Sequence, residues 1–307
     1  MHARDIPASL RVFAAERAPA GVVLALAVSL SAGPWALAEA DGTTLLRSVA
    51  VLFLVLFVLR IADDLCSLDH DRIAAPERAL PSGRIGARPL AVGAALLGAA
   101  AVALSAPRLT LGLGLLAAYY AVYYALVEWL PVVLRPPLVN AVFLAIPPGV
   151  LLLGGGAGTS GAAMVAGVQL LGGGAGAGRA VFLGLCFWLS AIGHDYAHEV
   201  HAPEEEHSAL RTCSLVLGPR VVAGIGLGCY AGGCVAGLLA ARGALGPGSW
   251  PTLFVTGLGA CFAYVAYLLV RLIARPGRER ARRLYVSGVV CFALPSLLLA
   301  LDRLLRG

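Results

Sequence analysis

The chain of 307 residues is 59% hydrophobic and only 13% charged, and its mean hydropathy is +0.85. This composition excludes a soluble globular domain, because apolar runs of roughly 18–22 residues recur along the sequence and each is long enough to cross a bilayer as a helix. The net charge of +6 comes from arginine, with no lysine. Arginine-rich cytoplasmic loops explain this charge, so nucleic-acid binding is not predicted.

Hydropathy predicts an all-α, polytopic membrane protein with about nine transmembrane helices. The first apolar stretch is one of many, so we interpret it as a membrane helix and not as a cleaved signal. The sixth stretch is rich in Gly and Ala over residues 154–178, which also permits a loop or a half-helix before a helix that starts near Val181. The predicted spans are 21–38, 44–62, 88–106, 109–127, 133–153, 162–194, 219–241, 250–274 and 284–303.

The arginine distribution predicts the orientation. With the N-terminus in the cytoplasm, most arginines fall on the N-terminal segment and the cytoplasmic connections, as the positive-inside rule requires. The long polar connections 63–87 and 195–218 then lie on the same cytoplasmic face. No polar linker divides residues 1–307, so a single transmembrane domain is expected. The seven cysteines form no CxxC pair and are predicted to be small core residues.

The first polar connection begins with a cluster of acidic residues, directly after an apolar span. If the helix continues past the membrane edge, Asp64, Ser67 and Asp71 share one face, with Asp63 beside them. Converging carboxylates repel one another unless a cation lies between them. Hard oxygen ligands at this density suit Mg²⁺, which usually bridges carboxylates to a substrate phosphate.

The second polar connection carries another acidic pair. Asp195 and Glu199 stand at i and i+4, so they lie on one helical face. Two such pairs facing each other across one cavity predict binding of more than one Mg²⁺ and, through these ions, of a diphosphate. Guanidinium groups match phosphate oxygens bidentately. The arginines predicted to contact the diphosphate are Arg60, Arg72, Arg78, Arg84, Arg211 and Arg220.

Three other interpretations of the acidic connections stay open. Acids at a membrane edge are often only a solvated helix end. His194, His198 and His201 lie at i, i+4 and i+7 like a membrane di-iron histidine box, although the chain has only six histidines. A CDP-alcohol phosphotransferase also uses membrane-edge aspartates, but its Asp-Gly-Xaa-Xaa-Ala-Arg core is not present.

Polar and aromatic residues within the spans give weaker signals. Tyr119, Tyr120, Tyr123 and Tyr124 form two i, i+4 pairs, and aromatic faces can stabilise a carbocation. An interfacial aromatic belt or ordinary helix packing is the favoured interpretation of these tyrosines. Asn140 is a candidate for binding an acceptor or the diphosphate, or for an interhelical hydrogen bond. Tyr120, Tyr124 and Asn140 are therefore candidate cavity residues.

The first acidic connection resembles a motif of the UbiA superfamily of intramembrane prenyltransferases. That motif, Asn/Asp-Asp-Xaa-Xaa-Asp-Xaa-Xaa-Xaa-Asp, matches Asp63, Asp64 and Asp71, while Ser67 replaces the central aspartate. Residues 76–83 also resemble the family's Pro-Xaa-Arg-Pro-Leu-Pro-Xaa-Gly element. The change at Ser67 removes one carboxylate from the expected metal site.

The second acidic connection resembles the family's other motif, Asp-Xaa-Xaa-Xaa-Asp, with Asp195 first and Glu199 last. Residues 195–206 and 212–214 are also similar to a bacterial branch of the family. That branch carries a basic pair where this sequence has His198 and Glu199. The ordered pair of motifs extends the resemblance over essentially the whole chain.

The resemblance implies nine helices around a central cavity open to lipid, capped by the two acidic helical loops on the cytoplasmic side. It further implies Mg²⁺ as the cofactor and a prenyl diphosphate as the substrate, with the isoprenoid tail in an apolar tunnel. The residues implied to be catalytic and to bind the metal are Asp63, Asp64, Asp71, Asp195 and Glu199.

The expected reaction is transfer of the prenyl carbocation to a small, aromatic acceptor. An alternative is a terpene cyclase of the UbiA type, which converts farnesyl or geranylgeranyl diphosphate into a cyclic terpene. A third is a non-catalytic membrane scaffold or transporter, against which the paired acidic connections argue. The absence of lysine beside abundant Arg, Ala and Gly suggests a GC-rich bacterial genome and hence the bacterial cytoplasmic membrane.

Overall fold

The computed structural model of the chain shows only helices as regular elements among the residues that it describes. Every structural statement below refers to those residues. They are 5–38, 40–105, 107–153, 175–200, 202, 212–244 and 249–306.

Short helices interrupt the series of long apolar helices. In chain order they are α1 (Asp5–Arg17), α2 (Ala20–Ala38), α3 (Gly42–Cys66), α4 (Leu68–Ala74), α5 (Ala87–Leu104), α6 (Pro107–Leu126), a 3₁₀ turn (Val132–Leu134), α7 (Arg135–Val139), α8 (Ala141–Leu153), α9 (Ala175–His198), α10 (Cys213–Leu217), α11 (Pro219–Ala241), α12 (Thr252–Ala274) and α13 (Arg278–Arg306).

Nine helical stretches within the described residues are long and apolar enough to cross a membrane, which confirms the predicted all-α membrane class. The second span runs over Gly42–Cys66 and is longer than the predicted 44–62, so it includes the first acidic residues. The sixth lies within α9, and the preceding Gly- and Ala-rich residues 154–174 are outside the described part of the chain.

Helix α9 occupies the centre of the bundle and packs against α2, α8, α11 and α13. Leu183 and Phe187 of α9 are almost completely buried. Gly193 of α9 and Gly226 of α11 bring the two backbones together. A Cβ at Gly193 would lie 2.9 Å from the carbonyl oxygen of Gly226, and one at Gly226 would lie 3.1 Å from that of Gly193. Small residues at this seam therefore permit close helix packing in the membrane.

Helix α1 is held against α3 and α5 by an aromatic anchor. Phe13 is 1% exposed and packs edge-to-face on Phe57 of α3, with ring centroids 6.0 Å apart. Ile61 of α3 and Leu90 of α5 complete this apolar cluster. The packing brings the last turn of α1 to the last turn of α3.

The start of α12 is capped from a distant part of the chain. Pro251 precedes this helix and provides no side-chain cap. Instead the backbone N–H of Phe254 donates to Oδ2 of Asp302 in α13 at 2.8 Å. Asp302 is 4% exposed, so this charge-assisted bond satisfies both a buried carboxylate and a helix-terminal donor.

Candidate active site

The first predicted motif lies where α3 passes into α4. Asp63 and Asp64 are in the last turn of α3, which ends as the N–H of Ser67 donates to the carbonyl of Asp63 at 2.9 Å. The N–H of Asp71 donates in turn to the carbonyl of Ser67 at 2.9 Å. Asp64 and Asp71 are buried, whereas the side chain of Asp63 is 43% exposed. Helical hydrogen bonding thus continues past the apolar run, with a break at Ser67.

Each of these three motif aspartates contacts an arginine. Arg60 of α3 donates to Oδ2 of Asp63 at 3.1 Å, and its Nη2 lies 3.0 Å from Oδ1 of Asp64. Arg78, in the turn after α4, donates to both carboxylate oxygens of Asp71 at 2.9 Å. Both arginines were predicted as diphosphate ligands, and in this structure both are counter-ions of carboxylates.

Asp64 has a second arginine partner that the sequence analysis missed. Arg17, the last residue of α1, donates from Nε to Oδ2 at 2.6 Å and from Nη2 to Oδ1 at 2.9 Å. The two residues are 47 positions apart, so no helical spacing indicates the pair. The available signal is an arginine directly before the first span, which also fits the positive-inside pattern.

The second motif lies at the end of α9. Oδ2 of Asp195 accepts a hydrogen bond from Nδ2 of Asn140 at 2.6 Å. Oε2 of Glu199 accepts from the backbone N–H of Cys213 at 2.8 Å, and the carbonyl of Glu199 accepts from Oγ of Ser214 at 2.8 Å. The carboxylate of Glu199 therefore joins the end of α9 to the start of α10, while that of Asp195 faces the fifth span.

Asn140 is located at a break between α7 and α8, and α6 supports this break. The Tyr119 hydroxyl donates to the carbonyl of Leu138 at 2.9 Å, and the Tyr120 hydroxyl donates to the carbonyl of Val139. These carbonyls lie next to the helix break, where ordinary helical partners are lost. The predicted cavity residue Tyr120 thus uses its hydroxyl to hold the segment that presents Asn140.

Helix α9 supports the same segment from the opposite side. Nε1 of Trp188 donates to the carbonyl of Pro137 at 2.9 Å, and the Tyr196 hydroxyl donates to the carbonyl of Val133. Together with the Asn140 bond, these contacts fix the broken span against the helix that carries Asp195. The position of Asp195 is therefore determined by several polar contacts within the membrane.

The two motifs approach each other between α3 and α9. Asp63 and Arg60 are close enough to Asp195 to interact with it electrostatically. Tyr123 of α6, which is 7% exposed, interacts with both Asp63 and Asp195. The carboxylates of Asp63 and Asp195 therefore lie within electrostatic range of each other, with Arg60 in contact with Asp63 and Tyr123 within range of both.

Arg135, at the start of α7, is the second site residue that the sequence analysis missed. Its Nε is buried and has no hydrogen-bond partner within the described chain. Its charge interacts with Tyr123 and Cys213, which places it beside the two motifs. A buried guanidinium donor without a protein acceptor is suited to bind an anion from outside. The signal in the sequence is an arginine directly before two prolines at the start of a span.

The remaining predicted arginines lie on the surface or outside the described residues. Arg72 is 60% exposed and donates to Asp69 at 2.6 Å. Arg84 is 57% exposed and donates to Oε2 of Glu16 at 2.9 Å. Arg211 lies outside the described residues. Arg72 and Arg84 are thus already engaged with surface carboxylates.

The four tyrosines of α6 form a contiguous cluster next to the first motif. The ring centroids of Tyr119 and Tyr120 are 5.3 Å apart, those of Tyr120 and Tyr124 are 6.0 Å apart, and those of Tyr123 and Tyr124 are 5.1 Å apart. Tyr124 also interacts electrostatically with Asp63. Aromatic faces are therefore concentrated beside the carboxylates, where a cation would be stabilised.

The carboxylates of the two motifs can provide ligands for one divalent cation more readily than for several. Within the described residues, no group of three or more His, Cys, Asp or Glu side chains is arranged to hold a metal ion. Asp64 and Asp71 do not fit, because both oxygens of each carboxylate contact guanidinium groups. Asp63 and Asp195 fit Mg²⁺, which is usually held by one or two carboxylates and completes its shell with water and phosphate. The histidine-box interpretation also requires His201, which is outside the described residues.

Comparison with known proteins identifies the class. The model of the UbiA prenyltransferase family matches residues 18–298, so the chain belongs to that family of membrane proteins. No match was found among curated proteins.

Two solved structures share the fold. A UbiA homolog from Aeropyrum pernix K1, in its apo form, has a TM-score of 0.66 and 16% sequence identity, and the match covers 93% of this chain and 98% of that one. A structure of digeranylgeranylglyceryl phosphate synthase has a TM-score of 0.56 and 16% identity, with coverage of 95% and 99%. At this identity the two structures are evidence for the fold alone.

Proposed function

We propose that the protein ionises a prenyl diphosphate in a Mg²⁺-dependent reaction and transfers the prenyl cation to a small, aromatic acceptor. The observation that carries this proposal is the approach of Asp63 and Arg60, from one motif, to Asp195, from the other. Each motif lies in a different half of the chain, so we take residues 1–307 as one catalytic unit. The arginine distribution supports a site on the cytoplasmic face, and the absence of lysine beside abundant Arg, Ala and Gly supports a bacterial membrane.

In this proposal, Asp63 and Asp195 hold Mg²⁺. Arg60 and Arg135 bind the diphosphate oxygens, because the Nε of each is buried without a hydrogen-bond partner within the described residues. Mg²⁺ bound there would supply positive charge that makes the diphosphate a better leaving group. Glu199 acts indirectly, because its bond to the N–H of Cys213 fixes the end of α9 beside Asp195.

The bond that breaks joins C1 of the prenyl chain to a diphosphate oxygen, and its electron pair leaves with the diphosphate. The guanidinium groups of Arg60 and Arg135 stabilise the negative charge that develops on that oxygen. A carbon of the acceptor ring then bonds to C1 of the allylic cation, and the ring loses a proton to the released diphosphate or to water.

A second candidate is terpene cyclisation, and the tyrosine cluster favours it. The rings of Tyr120 and Tyr124 pack together within electrostatic range of Asp63, and aromatic faces in such a cluster can stabilise a carbocation for as long as its rearrangement takes. In this reaction a double bond of the same prenyl chain attacks C1, and loss of a proton or capture of water ends the sequence. No acceptor is required.

One incubation distinguishes the two reactions. Protein purified in detergent is supplied with Mg²⁺ and with geranyl, farnesyl or geranylgeranyl diphosphate, with and without an aromatic acceptor, and the extracts are analysed by mass spectrometry. A product that requires the acceptor supports prenyl transfer, and a cyclic product without acceptor supports cyclisation. EDTA should abolish either product. A folded protein that gives no product under any of these conditions would refute both reactions and favour the scaffold or transporter alternative.

Matched variants test the assignment of residues. Asp63→Asn should abolish turnover, whereas Asp69→Asn should not, because Asp69 is 89% exposed and pairs only with Arg72 at the surface. Arg135→Gln should lower kcat/KM about tenfold to a hundredfold, the equivalent of losing a hydrogen bond to a charged group. Arg72→Gln is the control for loss of one arginine. Equal activity of Arg135→Gln and Arg72→Gln would remove Arg135 from the site.

A further inference from the structure

The last turn of α1 contacts the segment from Asp64 to Arg84 near both of its ends. Glu16 accepts from the backbone N–H of Ala79 at 2.8 Å and from Arg84 at 2.9 Å. The next residue, Arg17, donates two bonds to Asp64, at 2.6 Å and 2.9 Å. Phe13, one helical turn earlier, is buried under α3 and α5. The buried side chain of Phe13 therefore holds α1 in place, with the guanidinium group of Arg17 against Asp64.

The pairing of Arg17 with Asp64 is hard to displace. The side chain of Asp64 is 4% exposed and that of Arg17 is 20% exposed, so the pair is largely removed from water. Both oxygens of Asp64 are engaged, and Arg60 contacts Oδ1 as well. Separating a buried pair leaves an uncompensated charge in a medium of low dielectric, which is strongly unfavourable. A metal ion that used Asp64 as a ligand would first have to separate this pair.

Arg17 also interacts with the other two motif aspartates. The charges of Asp64, Asp71 and Asp63 all act on its guanidinium group, which stays protonated in proteins. The guanidinium charge is thus permanent and is located among the three carboxylates. A divalent cation shared by the same carboxylates would need this position.

We propose that the guanidinium group of Arg17 occupies the position that a metal ion would take at Asp64. Asp63 is then the only aspartate of the first motif that binds metal. This inference rests on the proposed diphosphate site. Ser67 and the bonds from Arg78 to both oxygens of Asp71 act in the same direction, because they also reduce the number of available carboxylate oxygens. The protein accordingly needs fewer divalent ions per bound diphosphate than two acidic motifs would suggest.

The number of bound metal ions tests this inference without any turnover. The full-length protein in detergent is titrated with Mn²⁺ in the presence of pyrophosphate, and the bound ions are counted by electron paramagnetic resonance. The wild type should bind about one Mn²⁺ per chain, held by Asp63, Asp195 and pyrophosphate. Asp64→Asn is nearly isosteric and should leave this number unchanged. Asp63→Asn should abolish binding.

Removal of the arginine gives the complementary result. Arg17→Gln should bind about one further Mn²⁺ per chain, because Asp64 regains oxygens that accept a hard cation. Arg17→Lys keeps the charge and should stay at the wild-type number. Gel filtration and thermal unfolding identify any variant that does not fold, and if Arg17→Gln does not fold, the comparison of Asp64→Asn with Asp63→Asn decides.

The outcomes separate this inference from the proposed function. Loss of Mn²⁺ from Asp64→Asn, or a wild type that already binds as many ions as Arg17→Gln, would overturn the role of Arg17 and leave the proposed function intact. A folded wild type that binds no Mn²⁺ with pyrophosphate would refute the metal-dependent function and the inference together.

Discussion

Replacement of Asn140 tests whether Asp195 faces a cation site. Nδ2 of Asn140 donates to Asp195 at 2.6 Å and to the carbonyl of Pro136 at 2.8 Å, and the residue is 7% exposed. Asn140→Leu removes both donors at similar volume. A hydrogen bond to a charged group contributes about 1.5–3 kcal/mol and one between neutral groups about 0.5–1.5 kcal/mol, so the free energy of unfolding should fall by about 2–4.5 kcal/mol.

Asn140→Asp makes the more specific perturbation. It replaces a donor by a second carboxylate at hydrogen-bond distance from Asp195, and two carboxylates this close repel each other unless a cation lies between them. We therefore expect Asn140→Asp to be less stable than the wild type in EDTA at pH 8. Mg²⁺ with pyrophosphate should raise its unfolding temperature by more than it raises that of the wild type.

The assay is thermal unfolding in detergent, followed by tryptophan fluorescence, with and without Mg²⁺ and pyrophosphate. Asn140→Leu serves as the control, because it loses the same donors and adds no carboxylate. The reasoning is refuted if Asn140→Asp responds to Mg²⁺ no more than Asn140→Leu does. A wild-type unfolding temperature for Asn140→Leu would show that the bond to Asp195 contributes nothing to stability.

Two further predictions concern helix packing and capping, and both are checked by thermal unfolding in detergent. Gly184→Ala places a Cβ 2.6 Å from the backbone carbonyl oxygen of Leu144 and should lower the free energy of unfolding by about 1–3 kcal/mol. The control is Gly228→Ala, whose Cβ meets nothing within 4 Å, so this variant should be as stable as the wild type or slightly more stable. Equal effects would contradict the close packing of α9 on α8. Asp302→Ala removes the acceptor for the N–H of Phe254 and should lower the free energy of unfolding by about 1–3 kcal/mol. Asp302→Asn keeps an acceptor oxygen and should lower it by less. An Asp302→Ala variant as stable as the wild type would show that the cap is dispensable.

The spans could be predicted from sequence because apolar length alone determines whether a helix can cross a bilayer. The i, i+4 spacing likewise placed Asp195 and Glu199 on adjacent turns at the end of α9. The uses of the two carboxylates could not be predicted, because they depend on partners distant in sequence. Glu199 bonds to Cys213 across a connection, and Asp195 bonds to Asn140 in another span.

The pairing of arginines with aspartates was hidden for a similar reason. Arg60 lies three and four residues before its partners, so helical periodicity indicates the contact. Arg17 reaches Asp64 through tertiary packing, because Phe13 anchors α1 against α3 and α5. The motif therefore identifies which side chains carry charge, but the tertiary packing decides which of them remain available to a ligand.

The mutual approach of Gly193 and Gly226 restricts how substrate range can be changed by mutation. Larger side chains are not accepted on this seam, because each would meet a backbone carbonyl of the facing helix. Directed evolution for prenyl chain length should therefore yield no larger side chains at Gly193 and Gly226. Productive changes are expected instead on α6, where Tyr123 and Tyr124 differ in burial and can be exchanged for smaller or larger rings.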